Sequence, residues 1–398
     1  NKMIMANNNN KDKCNVPHLR FPEFSGEWKK CKFGDIATGF DYGMNAAAKP
    51  FDGENKYIRI TDIDEASSTY NDKDIVSPDG RLTDNYVVNN RDILLVRTGA
   101  STGKSYLYRK SDGKLYYAGF LIRANITEHN PYFVFSQLHT HRYWRWVSIM
   151  SARSGQPGIN SQEYSSFPIF TTSLHEENKI STLLSLLNER IVTQNKIIED
   201  LKKLKSAIID RLYENIDGQP CLYGDLLTVV NEKNKMMEYS NILSASQEFG
   251  MIERNDLNID IKYEKNAITG YKIVREGDYI VHLRSFQGGM AFSQMVGVCS
   301  PAYIILRPND RLSYGYLAPY FTSTSFINSL RLVTYGIRDG RSINVDEWLN
   351  MKVCIPSLEV QRHILSIIKS IECKLLNEIK IADNLLKQRS YLLSQMFI

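Results

Sequence analysis

Paired cysteines, long apolar runs and targeting signals are all lacking in this sequence of 398 residues. The six cysteines are scattered without a Cys-x-x-Cys pair, which argues against a zinc site and favours reduced thiols. No run approaches the roughly 18 uncharged apolar residues that a membrane-spanning helix needs. No stretch has the basic start, apolar middle and small-residue cleavage site of a signal peptide. We therefore expect a cytoplasmic protein that does not bind a membrane.

Catalytic signatures are also lacking. The segment "GASTGKS" resembles a phosphate-binding loop, but only three residues separate Gly99 from Gly103, where that loop requires four. "NPYF" lacks the second proline of the adenine methyltransferase motif, and no glycine-rich S-adenosylmethionine loop follows a strand. His139 and His141 are two residues apart on a predicted helix and so lie on different faces. The carboxylates of "DIDEAS" fit a solvated turn better than a nuclease site. We expect neither catalytic residues nor a bound metal or cofactor.

An internal repeat organises the chain. The 34 residues from Gly158 match those from Ser342 at an offset of 184 without a gap, so that "GINSQEY" corresponds to "SINVDEW". The same offset pairs "GFLIR" with "YIILR", and a slightly shifted register pairs "FGDI" with "YGDL" and "RDILLVR" with "REGDYIVHLR". Each copy contains short β-branched and aromatic segments followed by helical ones. The predicted fold is α+β, with two tandem mixed domains, mostly antiparallel sheets and a pseudo-twofold relation.

Each copy ends in a long helix with a coiled-coil seam. Apolar residues follow spacings of three and four at positions 180, 184, 187, 191, 198, 201, 208 and 212, and again at 364, 368, 371, 375, 382, 385, 392 and 396. Such seams predict an antiparallel pair of helices, each about 60 Å long.

Polar residues within the seams suggest a register for this pair. If Lys205 lies opposite Glu378, Gln194 lies opposite Arg389 and the apolar positions stay matched. A slide of one heptad would place Lys205 against Ile371, and a buried charge without a partner is costly. The sequence therefore predicts the pairing of Lys205 with Glu378.

Two similar domains at the ends of a rigid spacer suit two half-sites on DNA, whose backbone has a local twofold. The net charge of +5 is compatible with this but does not require it. Because the two copies diverge most in their loops, the half-sites should differ.

Three further features are the opening "VPHLRFPEFSGEWKKCKFGDIA", "SFQGG" after a strand, and the proline-led entries into both long helices. In these features the sequence resembles the specificity subunit of type I restriction–modification systems. The resemblance extends from about Val16 to Ile398. It implies target recognition domains at 17–173 and 215–357 and spacer helices at 174–214 and 358–398. Residues 1–16 are polar and Asn-rich, and we expect them to be disordered.

The resemblance further implies the partners. They are double-stranded DNA, two modification (methyltransferase) subunits, and restriction subunits that act as translocases. Methylation and cleavage would occur in those subunits, which use S-adenosylmethionine, ATP and Mg²⁺, so the chain itself would be no enzyme. Outer positions of the helices are available for docking, for example Lys196, Glu199, Lys202 and Lys380.

Two loops in each copy are candidates for DNA contact, because glycine permits close approach and Arg, Lys and Gln donate to guanine, adenine or phosphate. The candidates are Arg97, Thr98, Ser101, Thr102, Lys104, Arg153 and Gln156 in the first copy, and Arg284, Ser285, Gln287, Arg338 and Arg341 in the second. The alternative is that these are ordinary glycine hairpins with exposed basic residues. Arg59 and Arg145 fit solvated arginines better, and Trp144 and Trp146 fit packing residues.

Two other functions remain open at this stage. An NTP-dependent enzyme would use the loop containing Lys104, and a coiled-coil adaptor would join proteins without reading DNA sequence. The adaptor predicts that DNA affinity is insensitive to salt, whereas phosphate contacts make affinity fall steeply with salt.

Overall fold

A computed structural model of the chain describes residues 4–5, 15–65, 67–152, 155–214, 216–246, 249–254, 265–282, 289–335 and 342–398. The chain divides into two compact units. The first comprises Asn1–Lys196 with Lys380–Ile398, and the second comprises Ile197–Ile379. Each unit therefore combines one globular domain with a part of each long helix.

The first copy of the repeat contains twelve strands and five α-helices among the described residues. In chain order these are β1 (Ile4–Met5), β2 (Leu19–Arg20), β3 (Lys29–Lys32), α1 (Phe33–Ile36), β4 (Ala37–Tyr42), β5 (Ala47–Pro50), β6 (Lys56–Ile58), β7 (Val76–Asp79), β8 (Asp92–Val96), β9 (Ser105–Leu107), β10 (Leu115–Tyr117), β11 (Leu121–Ile126), α2 (Pro131–Gln137), α3 (His141–Met150), α4 (Ser161–Ser165), β12 (Pro168–Thr171) and α5 (Leu174–Glu214).

The second copy has a similar order over its described part. Its elements are β13 (Gln219–Leu222), β14 (Leu227–Val230), β15 (Leu243–Ser246), β16 (Gly250–Glu253), β17 (Lys272–Val274), β18 (Tyr279–Val281), β19 (Met290–Phe292), β20 (Gly297–Cys299), β21 (Ile304–Pro308), α6 (Leu317–Tyr320), α7 (Thr324–Ser329), β22 (Thr334–Tyr335), β23 (Ser342–Ile343), α8 (Val345–Leu349), β24 (Lys352–Ile355) and α9 (Leu358–Met396).

Equivalent four-stranded sheets confirm the repeat. The strand order is β4-β11-β8-β9 in the first copy and β14-β21-β18-β19 in the second, and all neighbours are antiparallel. The central strands are the segments that the sequence comparison matched. The first copy also contains one parallel pair, β6 with β10, so its pairing is mostly rather than wholly antiparallel.

Strand β8 shows why the sheet is stable. Its sequence DILLV is buried at every position, and alternate residues pack on opposite faces of the sheet. Ile93 and Leu95 join a cluster with residues of α2 and α3, whereas Leu94 and Val96 join a cluster with residues of β6 and β10. Each such aliphatic side chain contributes about 1.5–3 kcal/mol by its removal from water.

Both domains end with the same local features: a capped short helix followed by a strand that pairs with a strand near the start of the domain. Asn160 and Asn344 each cap a short helix, and their side-chain oxygens accept from the backbone N–H three residues later, at 2.9 and 3.3 Å. Tyr164 and Trp348, also 184 residues apart, are fully buried. The strands that flank each domain then pair antiparallel, β3 with β12 and β13 with β24. The two ends of each domain therefore lie side by side.

The long helices begin at corresponding residues. Ser173 and Ser357 precede α5 and α9, and each hydroxyl accepts from a backbone N–H of the first turn, at 3.3 and 3.5 Å. The observed ranges, 174–214 and 358–396, lie within two residues of those expected from the resemblance.

The seams of these helices are buried. In the first unit, seam residues from the start of α5 share a cluster with residues from the end of α9, namely Ile180, Leu184, Leu187, Ile191, Leu385, Leu392 and Met396. In the second unit, Ile209 and Tyr213 from the end of α5 share a cluster with Ile364 and Ile368 from the start of α9. This is the predicted antiparallel arrangement.

The predicted register is wrong. Lys205 Nζ lies 2.7 Å from Glu372 Oε1, and Glu378 is buried and forms an ion pair with Lys374 on its own helix. This contact corresponds to a slide of almost one heptad from the predicted pairing. The prediction assumed that Lys205 would be buried, but Lys205 and Glu372 are 30% and 46% exposed. At the edge of the seam, Lys205 does not carry the desolvation cost that was used to choose the register.

Disorder over residues 1–16 is not observed where that segment is described. Ile4–Met5 pairs with Leu19–Arg20, and the carbonyl of Asn15 accepts from the N–H of Trp28 at 2.8 Å. Disorder of the segment as a whole stays a prediction. The remaining residues of the segment, 1–3 and 6–14, lie outside the described residues.

In the part of the chain that the structure describes, no helix combines the length and the apolar composition needed to cross a membrane.

Candidate nucleic-acid interface

The glycine-rich segment after β8 is the turn of a β-hairpin. Strands β8 and β9 pair antiparallel on either side of it. Within the turn, the N–H of Thr102 donates to the carbonyl of Gly99 and the N–H of Gly103 donates to that of Val96, both at 3.0 Å. Because these N–H groups bond within the turn and a strand follows it, the segment lacks the nest and the helix N-terminus of a phosphate-binding loop.

Two of the predicted contact residues in this turn are engaged within the protein. Thr102 is buried, and its hydroxyl donates to the carbonyl of Gly99 at 2.7 Å. Lys104 Nζ lies 3.3 Å from a carboxylate oxygen of Glu65, which is exposed. Thr102 therefore supports the turn, whereas Lys104 is held at the surface by an ion pair that solvent screens. Ser101 is half-buried at the tip.

The two candidate loops of the first copy lie against each other. Thr98 forms a β-bridge with Gly158. The N–H of Gly99 donates to the carbonyl of Pro157 at 3.0 Å, and the N–H of Ile159 donates to the carbonyl of Arg97 at 2.9 Å. Gln156 is exposed beside the turn. Two loops that are about 60 residues apart in sequence thus form one surface.

Arg97 is the best-placed cation on this surface. Its guanidinium carbon lies 4.5 Å from the centre of the Tyr42 ring, and the Tyr42 hydroxyl accepts from the N–H of Ser161 at 3.3 Å. Arg59 forms two hydrogen bonds to Asp62, and Arg123 forms an ion pair with Asp41. In the described part of the chain, Arg97 has no comparable ion pair with a carboxylate. Its cation is therefore held over an aromatic ring, and Nη1 donates to the carbonyl of Gly119 at 3.4 Å, while no carboxylate among the described residues neutralises its charge.

A cleft of about 730 Å³ opens beside Arg97. Aromatic and small apolar residues line it together with two arginines: Tyr42, Gly43, Met44, Asn45, Ala46, Ala48, Tyr57, Arg59, Ile60, Thr61, Arg97, Ala118, Gly119 and Phe120. Phe120 is 61% exposed. The carbonyl of Phe120 accepts from the N–H of Arg97 at 3.1 Å, so the two residues are neighbours across strands β8 and β11.

Sequence analysis missed Tyr42 and Phe120. These residues and Arg97 are separated by more than twenty positions each, and only the order of the four-stranded sheet brings them together. The sequence did contain one indication of Phe120: it is an aromatic residue that stands between a glycine and the apolar start of strand β11.

The predicted contact residues of the second copy, Arg284, Ser285, Gln287, Arg338 and Arg341, lie outside the described residues, as does Arg153 of the first copy. The strands that flank them are described. Strands β18 and β19 pair on either side of residues 282–289, as β8 and β9 do around the turn of the first copy. Strands β22 and β23 likewise pair on either side of residues 336–341. The strands that flank residues 282–289 are therefore equivalent to β8 and β9, whereas the first copy has helix α3 where the second has β22.

Other residues considered from the sequence have structural contacts. His139 bonds to the carbonyl of Phe135 and to the hydroxyl of Ser68, at 2.9 and 3.0 Å, and burial lowers its pKa to about 4. Asp64 accepts from the N–H of Ser67 in a turn, as expected for "DIDEAS". In the described residues, no group of three or more His, Cys, Asp or Glu is placed to hold a metal ion.

The two tryptophans differ from each other. Trp146 packs against Tyr143, Tyr164 and Phe167, as predicted. Trp144 is 41% exposed, and its ring lies next to Gly103 in the turn after β8. Arg145, between them, is exposed, in agreement with the expectation of a solvated arginine.

Solved structures share this architecture over nearly the whole chain. One is a chain from work on the structural basis of complex assembly and conformational transition of the type I R-M system, with a TM-score of 0.58, 14% identity, and 94% of this chain and 98% of that chain covered. The type I restriction–modification S subunit from M. genitalium matches with a TM-score of 0.55 and 14% identity, covering 96% and 99% of the two chains. The chain has the fold of a type I specificity subunit.

These matches confirm the predicted fold class. No protein-family model matches the sequence, and the search of curated proteins found no match. The likeness is one of structure, because sequence identity is only 14%.

Proposed function

We propose that this chain is the DNA-reading specificity subunit of a type I restriction–modification complex. The observation that carries the proposal is the combination of a specificity-subunit fold over nearly the whole chain with two copies of one sheet that have the same strand order. The first domain, 17–173, reads one half of a bipartite, asymmetric DNA target, and the second, 215–357, reads the other half. The helices at 174–214 and 358–398 set the distance between the halves.

Within the first domain, the surface formed by the two loops and the cleft supplies the DNA contacts. Arg97 offers two parallel donors to a base edge, whereas Lys104 and Gln156 lie at the rim, where phosphates and neighbouring bases pass. Thr98, Ser101 and Thr102 shape the turn from which these side chains project. Arg153 of the first domain, and Arg284, Ser285, Gln287, Arg338 and Arg341 of the second, are proposed in the same roles from sequence alone.

The chain itself carries out no chemistry in this proposal. Two methyltransferase subunits would bring S-adenosylmethionine, and restriction subunits would bring the ATP- and Mg²⁺-dependent steps. Of the residues weighed as catalytic candidates, His139, Asp64 and Lys104 form contacts within the protein.

Exposed apolar residues on the spacer helices fit the docking of such subunits. In the second unit, Ile197 and Leu204 of α5 are 40% and 50% exposed, and they lie seven residues apart on one helix face. Glu199 and Lys202 of the same helix are exposed next to them in sequence; in the first unit, Lys196 and Lys380 are also exposed. An apolar strip with a charged rim is typical of a protein interface.

This docking surface is testable without DNA. Leu204→Glu should abolish co-purification of the methyltransferase subunit, because an unpaired charge would be buried in the interface. Ser206→Glu adds the same charge at an exposed position on another face of the helix and should leave co-purification intact. Equal yields of complex with both variants would place the docking surface elsewhere.

The function itself is tested by mapping methylated adenines in cells that express this chain with its neighbouring methyltransferase subunit. We expect a split motif of two short specific blocks around a fixed gap. Exchange of residues 17–173 with those of another specificity subunit should change one block only. If methylation is the same without this chain, or if none occurs with it, the DNA-reading role is refuted.

Salt dependence separates the reading role from that of a protein adaptor. Affinity of the assembled complex for duplex DNA should fall steeply as salt rises, since phosphate contacts release counterions. An affinity that is independent of salt and unaffected by substitution of Arg97 would favour the adaptor.

A further inference from the structure

The cleft beside Arg97 has the chemistry of a nucleobase site rather than of a phosphate site. Its floor is apolar: Tyr57 and Ala118 are buried, and the Tyr57 hydroxyl is used in hydrogen bonds to the carbonyls of Met44 and Ala46 at 2.9 and 3.1 Å. A phosphate site would instead present several N–H donors. The volume of about 730 Å³ lies within the range of sites that enclose small molecules.

The cleft also provides two different contacts for one flat ring. Phe120, 61% exposed, offers an aromatic face, and face-to-face contact with an aromatic side chain is the usual way to hold an unstacked base. Arg97 offers N–H donors beside it: its guanidinium carbon lies 4.5 Å from the centre of the Tyr42 ring, and its Nη1 donates over a long 3.4 Å to the carbonyl of Gly119, so this side chain is positioned without an ion pair to a carboxylate in the described part of the chain. Both side chains line the cleft and come from neighbouring strands of the same sheet.

The donors of Arg97 distinguish between the bases. Guanine presents two adjacent acceptors, O6 and N7, that match a guanidinium fork, whereas adenine presents an N–H₂ donor beside N7. Arg59, the other cation of the cleft, is already bonded twice to Asp62. A base inside the duplex exposes only its edge, so it cannot also lie against Phe120.

We propose that the first domain turns one guanine of its half-site out of the DNA stack and holds it in this cleft, with its face on Phe120 and its O6 and N7 on Arg97. The inference rests on the proposed function, since it names how one position of the target is read. It assigns to this chain a binding step, separate from any base movement that a methylating subunit would perform.

The first test is the methylated motif of three variants. Arg97→Lys keeps the charge but removes the fork, and Phe120→Ala removes the aromatic face. Each should relax one guanine of the first block to any base, with discrimination at that position falling at least about five-fold. The control is Phe51→Ala, because Phe51 is an exposed phenylalanine of the same domain that does not line the cleft. This variant should leave the motif unchanged. Matching thermal unfolding of all three variants would exclude a folding defect.

The second test asks whether the guanine leaves the stack. A duplex with an abasic site opposite that guanine should bind the assembled complex about ten-fold tighter or more, because no base pair has to be broken. Phe120→Ala should lose this gain, and Phe51→Ala should keep it.

Each other outcome overturns the inference. A uniform loss of methylation in Arg97→Lys and Phe120→Ala with an unchanged motif would mean that the cleft contacts phosphate or only supports the fold. A relaxed guanine without tighter binding to the abasic duplex would mean that Arg97 reads the base within the stack. If the unmodified chain produces no split motif, the proposed function and this inference fail together, and that result is visible before any variant is made.

Discussion

A buried ion pair between Arg20 and Glu176 fastens the start of the chain to the start of helix α5. The two side chains are 8% and 1% exposed. Arg20 donates to the two carboxylate oxygens of Glu176 at 2.7 and 2.8 Å. Glu176 also accepts from the indole of Trp28 at 3.3 Å and from the hydroxyl of Thr172 at 2.6 Å. We expect this network to be the most sensitive polar feature of the first unit.

Arg20→Met should lower the free energy of unfolding of the first unit by about 3–5 kcal/mol. The substitution leaves the Glu176 carboxylate buried with only Trp28 and Thr172 as partners, and breaking a buried pair costs this much because the remaining charge is uncompensated. Glu176→Met should cost a similar amount. The double variant should cost clearly less than the sum, since no buried charge is left behind.

Native-state hydrogen exchange is the suitable assay, because it reports the opening free energy of the backbone amides at the start of α5. Arg109→Met is a matched control: Arg109 is 45% exposed and forms an ion pair with Asp112 at 3.4 Å, so its loss should cost less than about 1 kcal/mol. A cost for Arg20→Met no greater than that of the control, or strict additivity in the double variant, would refute the reasoning.

Three further predictions concern the first unit and the repeat. Gly103→Ala should lower the thermal midpoint, because Gly103 has a φ of +93° and an added Cβ would lie 2.7 Å from Val147 Cγ1; an unchanged midpoint would contradict this. Glu177 bonds His129 at 2.8 Å and raises its pKa, so this contact stabilises the fold below the unfolded pKa of about 6.5 and is lost as pH rises through the higher folded pKa. The thermal midpoint of His129→Asn should therefore lie further below that of the unmodified chain at about pH 6 than at about pH 8. A difference that does not change with pH would exclude this contribution of His129. Asn160→Ala and Asn344→Ala each remove a helix cap and should each cost about 1 kcal/mol in denaturant unfolding; a neutral result at either site would show that its cap is not needed.

The repeat, several strand segments and the two long helices were predictable from residue patterns in the sequence, whereas the order of the strands in the sheets was not. Asn160 and Asn344 cap helices, Ser173 and Ser357 precede long helices, and apolar spacing defines the seams, so each feature can be found in a short window of sequence. The helix register was not predictable in this way. It depended on whether Lys205 is buried, and side-chain exposure is a property of the packed helices rather than of the seam pattern.

The candidate site was predictable only in part. The loops containing Arg97 and Gln156 stood out by composition, and the structure brings them together through the bridge between Thr98 and Gly158. The cleft could not be foreseen, because Tyr42 and Phe120 reach Arg97 through the order of the strands. Composition identifies residues suited to contact DNA, and only topology determines which of them share a surface.

The paired strands at the ends of each domain bear on how such a protein can evolve by exchange of segments. In the first domain β3 and β12 hold the entering and leaving chain side by side, with Lys32 opposite Pro168, and in the second β13 and β24 do the same, with Leu222 opposite Lys352. Everything between these strands is an insertion whose ends already meet, the situation in which replacement of a whole segment is best tolerated. Under the proposed function, exchange of the segment between these strands would change one half of the target and leave the two long helices unaltered.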